Sequence, residues 1–232
     1  MASGAFRRAR SSAGKVVRIF LPGVRQVYAQ VAPFARAWDE ANDAALNGRG
    51  PLWVVLGDST AQGIGAPAHD RGYVGQLRAA LDKSSSIPWR VLNLSRSGAK
   101  AAEVVAVQLP RLEALDVAPE LVTCAIGAND MYPTPLPALL ASLREIMRRL
   151  PDGAVIATLP QGLRPVRATV VNDVIRAEAP SGDLVVADVW AHTGPPWHGK
   201  LAADGFHPGV TGYADWAAAF AEALPADPVP PA

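Results

Sequence analysis

The sequence predicts an α/β protein built on a parallel, doubly wound sheet with helices on both faces. Five short apolar runs alternate along the chain with longer stretches of helical periodicity. The runs are nearly continuous rather than alternating, as expected of strands buried on both faces. Half of the 232 residues are hydrophobic and about a fifth are charged, enough for one sizeable core. No internal repeat is visible. The expectation is one domain over 51–232 preceded by an arm over 1–50.

The arm opens with an Ala/Ser/Gly/Arg-rich stretch, 1–14, whose composition reads as disorder. The segment from Lys15 to Leu21 is interrupted by Arg18 and stopped by Pro22, unlike the unbroken core of a signal peptide. From Val24 to Leu46 apolar residues recur at helical spacing, with Pro33 expected to kink or split the helix and Asn47-Gly48 to end it. Leu52 to Leu56 is the first strand, bounded by Pro51 and Gly57. A helix follows over 71–83, with Tyr73, Val74, Leu77, Ala80 and Leu81 on one face. The second strand is 89–94, and the helix over 101–115 is interrupted at Pro110. Then come strand 121–126, a helix over 137–150 with basic residues at its end, strand 154–159, helix 166–179 and strand 184–189. Helix 210–224 closes the domain, and a Pro-rich tail frays beyond it.

Formal net charge is +1, but the first fifty residues carry net +5 and the rest −4. That distribution argues against nucleic acid as a partner of the domain. The arm reads first as an amphipathic helix docked on the domain. Arg7, Arg8, Arg10, Lys15, Arg18 and Arg25 flank apolar residues, so peripheral contact with a membrane surface is the sharper alternative. No apolar run reaches the length of a spanning helix. A cytoplasmic location is expected, with a peripheral-membrane or exported protein as the alternatives. Cys124 is the only cysteine, which leaves no internal disulfide; its apolar neighbours make it a small buried side chain rather than a nucleophile.

The first strand delivers Gly57-Asp58-Ser59 to the carboxyl edge of the sheet, where ligands bind in open α/β folds. Taken alone, the tripeptide reads as a turn with Ser59 as an N-cap. Three further blocks change that reading: Asn93-Leu94-Ser95-Arg96-Ser97-Gly98, Gly127-Ala128-Asn129-Asp130 and Asp204-Gly205-Phe206-His207-Pro208. In this order, the four resemble the blocks of the SGNH (GDSL-type) esterase and lipase family, over roughly Leu52 to Ala223. The resemblance implies a flavodoxin-like three-layer fold with strand order 2-1-3-4-5. It also implies a triad of Ser59 as nucleophile, His207 as base and Asp204 as its orienting group. The oxyanion donors would be the backbone N–H groups of Ser59 and Gly98 and the side-chain amide of Asn129. Thr60 stands where the older family name has Leu.

Serine acylation needs a base, a group to orient it and donors for the developing oxyanion, and these residue types supply all three. His69, His192 and His198 are rival bases, and Asp58 and Asp130 read as carboxylates that fix loops by accepting backbone N–H bonds. Asp188 with the two later histidines matches no compact zinc spacing. Ala61 breaks the Gly-x-Ser-x-Gly elbow, Gly63-Ile64-Gly65 lacks the third glycine of a dinucleotide loop, and no P-loop is present. Neither metal nor cofactor is expected. The function read from the sequence is hydrolysis of a small carboxylic ester through an acyl-Ser59 intermediate. An acyltransferase with the same triad and a non-catalytic membrane-peripheral module are the alternatives. Loops 66–72, 131–137, 161–165 and 191–201 would choose the substrate.

Overall fold

The computed structural model describes residues 21–225. The Ala/Ser/Gly/Arg-rich start, the interrupted apolar segment through Phe20 and the Pro-rich tail lie outside the described residues. Five strands form one parallel sheet: β1 (Leu52–Gly57), β2 (Arg90–Asn93), β3 (Leu121–Ala125), β4 (Val155–Ala157) and β5 (Val185–Ala187). Their order is β2-β1-β3-β4-β5. In β1, Val54 lies opposite Leu92 of β2 and Val122 of β3. The chain therefore winds one way from β1 to β2 and the other way from β3 onward. The crevice at the carboxyl ends of β1 and β3 is the switch point where such sheets place ligands.

Side chains alternate across the sheet, as the period of two in a strand requires. Leu52, Val54 and Leu56 point into one apolar layer with Val122, Cys124 and Ile156. That layer is covered by α4 (Ala101–Glu103), α5 (Leu109–Glu113), α6 (Leu136–Arg149) and α7 (Pro165–Glu178). Trp53 and Val55 point the other way, against α2 (Val31–Asn47), α3 (Tyr73–Leu81) and α9 (Val210–Ala223). There Tyr73 stacks on Phe220 with ring centroids 5.0 Å apart, and on Trp216 at 5.7 Å.

The elements depart from the sequence expectation in three places. The arm breaks at Ala29 and Gln30, between α1 (Pro22–Tyr28) and α2, so Pro33 falls in the first turn of α2. The first four N–H groups of a helix lack internal partners, so proline costs nothing there. The expected interruption near Pro110 is present, but it lies upstream of the proline. The chain passes from α4 through a π-helical stretch, Val104–Gln108, into α5 at Leu109, and Pro110 falls in the first turn of α5. The widened turn absorbs the missing donor. Strands β4 and β5 are also three residues each rather than six, because apolar character extends beyond the paired segment.

The arm is bonded into the domain along α2. Asn42 presents its amide to the backbone of Asn93, donating to the carbonyl at 2.9 Å and accepting the N–H at 2.7 Å. It thus acts as a one-residue extra strand on the exposed edge of β2. Trp38 is buried and donates its indole N–H to the Gln62 carbonyl at 3.1 Å. Gln30 bridges the loop after β1, accepting from the Gly65 N–H and donating to the Ala66 carbonyl.

Candidate active site

Three loops meet at the switch point. The first leaves β1 at Gly57, whose positive φ of 149° and close approach to the Ala125 carbonyl leave no room for a side chain. Asp58 is buried, and its Oδ1 accepts both the backbone N–H and the hydroxyl of Thr60, at 2.9 Å each. This turn holds the adjacent Ser59 at the strand's end. Burial pushes the Asp58 carboxyl above the usual carboxylate range, against the Thr60 hydrogen bonds and the nearby His207.

The loop after β2 is fastened to the first by the Leu94 N–H on the Val55 carbonyl and the Arg96 N–H on the Gly57 carbonyl. Gln62 completes the fastening, donating to the Ser95 carbonyl and accepting the Ser97 hydroxyl. Gly98 follows, with open space where a side chain would stand. In the loop after β3, Asn129 donates its amide to the Ala99 carbonyl at 2.9 Å and to Asp58 Oδ2 at 3.3 Å. Asp130 accepts the Ala101 N–H and the Thr134 hydroxyl, tying this loop to the start of α4. Both acidic neighbours thus bond the loops together.

The fourth segment arrives from the far end of the chain. Residues 200–209 form a tight reverse loop, closed by the Ala202 N–H on the His207 carbonyl and the Gly209 N–H on the Lys200 carbonyl, both 2.8 Å. Asp204 Oδ1 accepts the backbone N–H groups of Phe206 and His207, each at 3.0 Å. Its Oδ2 lies 2.6 Å from His207 Nδ1, and His207 Nε2 lies 3.0 Å from Ser59 Oγ. The Asp204 and His207 side chains are 7 % and 13 % exposed. Burial pushes the Asp204 carboxyl up, but the bonds from His207 and Phe206 outweigh it and hold it below its ordinary value. Gly65 lets the loop after β1 approach closely: at φ 102° its missing side chain would meet the Pro208 carbonyl and His207 Cβ. A hydroxyl, an imidazole and a carboxylate in this sequence can pass a proton from the first to the second while the third holds the ring.

The rival histidines are engaged elsewhere. His69 meets Trp38 and Phe34 of the arm edge to face. His192 lies at the end of α8 (Val189–His192), 3.0 Å from Glu222. His198 is exposed. Asp188 caps α8 and pairs with Arg176 at 2.9 Å. Among the described residues, no three metal-ligating side chains cluster. Nor, among the described residues, is any helix long and apolar enough to cross a membrane.

A cavity of about 270 Å³ opens beside His207. Its walls include Pro160, Leu163, Trp197, Leu201, Phe206 and Trp216. Two of the four loops named from the sequence, 161–165 and 191–201, contribute to this lining; 66–72 and 131–137 do not.

Sequence reasoning missed the supporting amides. Gln108 is buried and clamps Gly57, accepting its N–H and donating to its carbonyl, both at 2.8 Å. The signal was a glutamine on an otherwise apolar helix face, between Val104 and Leu112. Asn42 gave the same signal among Phe34, Trp38 and Ala45.

The sequence matches the family model described as the GDSL-like Lipase/Acylhydrolase family over residues 55–214. No curated protein matches. Several solved structures share the fold. TesA is 24 % identical with a TM-score of 0.64, the match covering 75 % of this chain and 97 % of that one. A mutant of Axe2, an acetyl-xylooligosaccharide esterase from Geobacillus Stearmophilus, is 22 % identical with a TM-score of 0.61, covering 80 % and 99 %. The lipase/acylhydrolase from Enterococcus faecalis is 22 % identical with a TM-score of 0.56, covering 75 % and 94 %.

Proposed function

The chain belongs to the GDSL-like lipase/acylhydrolase family, and on that premise we propose that it hydrolyses small carboxylic esters through an acyl-Ser59 intermediate. The supporting observation is the unbroken line of contacts from Ser59 Oγ through His207 to Asp204. With its Nδ1 proton held by Asp204, the His207 ring leaves Nε2 free to accept the Ser59 proton. Ser59 Oγ bonds to the acyl carbon, and the carbonyl oxygen takes up negative charge. The backbone N–H groups of Ser59 and Gly98 and the Asn129 amide are the donors assigned to that charge. Of the two contacts of the Asn129 amide, the 3.3 Å one to Asp58 is longer than the 2.9 Å one to Ala99, so it is the contact an oxyanion would share or replace. A donor of this kind is typically worth about 3 kcal/mol of barrier lowering. The tetrahedral adduct collapses as His207 gives its proton to the departing alcohol. Water, deprotonated by the same ring, then releases the acid and restores Ser59. No cofactor enters this sequence. The apolar cavity beside His207 takes the acyl group, and its volume lies near the lower end of small-molecule sites.

The test is the initial rate on p-nitrophenyl acetate, butyrate, octanoate and palmitate for wild type beside Ser59→Ala. Hydrolysis that falls at least a thousandfold in the variant is expected. Equal rates in the two proteins would remove Ser59 from the nucleophile's role.

A further inference from the structure

Besides His207, the cavity wall contains two charged residues, and they form a pair. Lys200 Nζ lies 2.8 Å from Asp215 Oδ2 and 3.3 Å from the Gly194 carbonyl. The Asp215 oxygen that faces Lys200 is shut off from solvent, so the Lys200 charge is what compensates it. The two side chains keep 22 % and 25 % of their exposure. They reach the cavity from different elements, Lys200 from the loop before the Asp204–His207 segment and Asp215 from α9. Around them the wall is Trp197, Leu201, Trp216 and Pro160. The loop is already held to α9 by backbone: the Gly209 N–H bonds the Lys200 carbonyl, and Gly212 packs closely against that same carbonyl. A side-chain tether is therefore not needed to place it.

We propose that the Lys200–Asp215 pair sets the upper limit of acyl length this cavity accepts, and the proposal rests on the ester-hydrolase reading given above. Each methylene laid against the apolar wall favours binding, by about fourfold per group. A chain long enough to press on the pair strips its remaining water and offers no polar group in exchange. Burial of charge is costly even for paired ions, so the gain per methylene reverses there. Acyl groups that stop short of the pair are the preferred substrates, and longer ones are rejected.

The test compares kcat/KM on p-nitrophenyl acetate, butyrate, hexanoate, octanoate and decanoate. The proteins are the full-length wild type, the double variant Lys200→Met/Asp215→Leu, and the charge-reversed Lys200→Asp/Asp215→Lys. The wild type should peak below octanoate. In the Met/Leu protein the octanoate-to-butyrate ratio should rise at least tenfold, while the reversed pair keeps the wild-type ratio. Because the ratio is internal to each protein, a general loss of activity cancels. A wild-type optimum at octanoate or decanoate, or a Met/Leu protein with an unchanged ratio, overturns the proposal and leaves the esterase reading standing. If the Met/Leu protein does not fold, the neutral pair Lys200→Gln/Asp215→Asn carries the same comparison. Hydrolysis independent of Ser59 fails the underlying reading, and the length limit falls with it.

Discussion

Asp204 and Asp58 lie in one site, yet their environments act on them in opposite senses. For Asp204, the bonds from His207 and Phe206 outweigh burial and keep the carboxyl ionised to lower pH than usual. Its contribution to stability is present above the ordinary carboxylate pKa and is lost as pH falls through the lowered folded value. For Asp58 burial wins, so its contribution is present at low pH and fades as pH rises through the raised folded value. Asp204→Asn should lower the melting temperature by roughly 3–6 °C at pH 7. Thermal melts of the two proteins should converge as pH falls toward 3, and a gap that widens on acidification would contradict this account. The residues that make up the candidate site were legible because they stand in short blocks, three at strand ends and the fourth, with Asp204 and His207, in the loop before α9. Their support was not. Nothing near Ser59 in sequence announces Gln108, 51 residues after the glycine it clamps.

At the scale of elements, the π-helical stretch between α4 and α5 gains a purpose from that clamp. The widened turn occurs over Val104–Gln108, and its last residue sends a side chain to the end of β1. Such turns often mark functional positions in helices. Gln108→Leu would leave the Gly57 N–H buried without a partner, since the sheet supplies none at that point. The expected cost is about 1–3 kcal/mol of stability. A fall in kcat of about tenfold on p-nitrophenyl butyrate, with KM little changed, should accompany it. Urea melts and steady-state kinetics on the same preparation check both halves. The alternation of strands and helices was readable from apolar periodicity, whereas strand lengths were not. Leu159 shows why: it is apolar and buried, but its N–H goes to the Asn172 side chain rather than to a neighbouring strand.

For the whole molecule, the arm and the domain share one set of contacts. Val27 and Phe34 pack on Ile64 in the loop after Ser59, with Ala202 from the loop that carries His207 beside them. Deleting residues 22–47 should therefore uncover Trp53's layer, free the edge of β2 and give a protein that melts at least 10 °C lower or does not fold. Deleting 1–20 instead removes five basic and no acidic residues and none of the contacts described above. Differential scanning fluorimetry measures the fall on deleting 22–47, and vesicle co-sedimentation of the shorter deletion tests the basic segment. That the arm docks through Asn42 and Gln30 was hidden in the sequence, because their partners are backbone groups tens of residues away.

The separation of Ser59 from His207, 148 positions along the chain, also bears on how the protein is made. Translation delivers the hydroxyl first, and the sheet can begin to assemble while the imidazole is still uncoded on the ribosome. On the proposed mechanism, the nascent chain holds Ser59 without its base until His207 is added 148 residues later. Under that mechanism, reactivity begins only when α9 and the loop before it have docked, so a product truncated before His207 should be inactive.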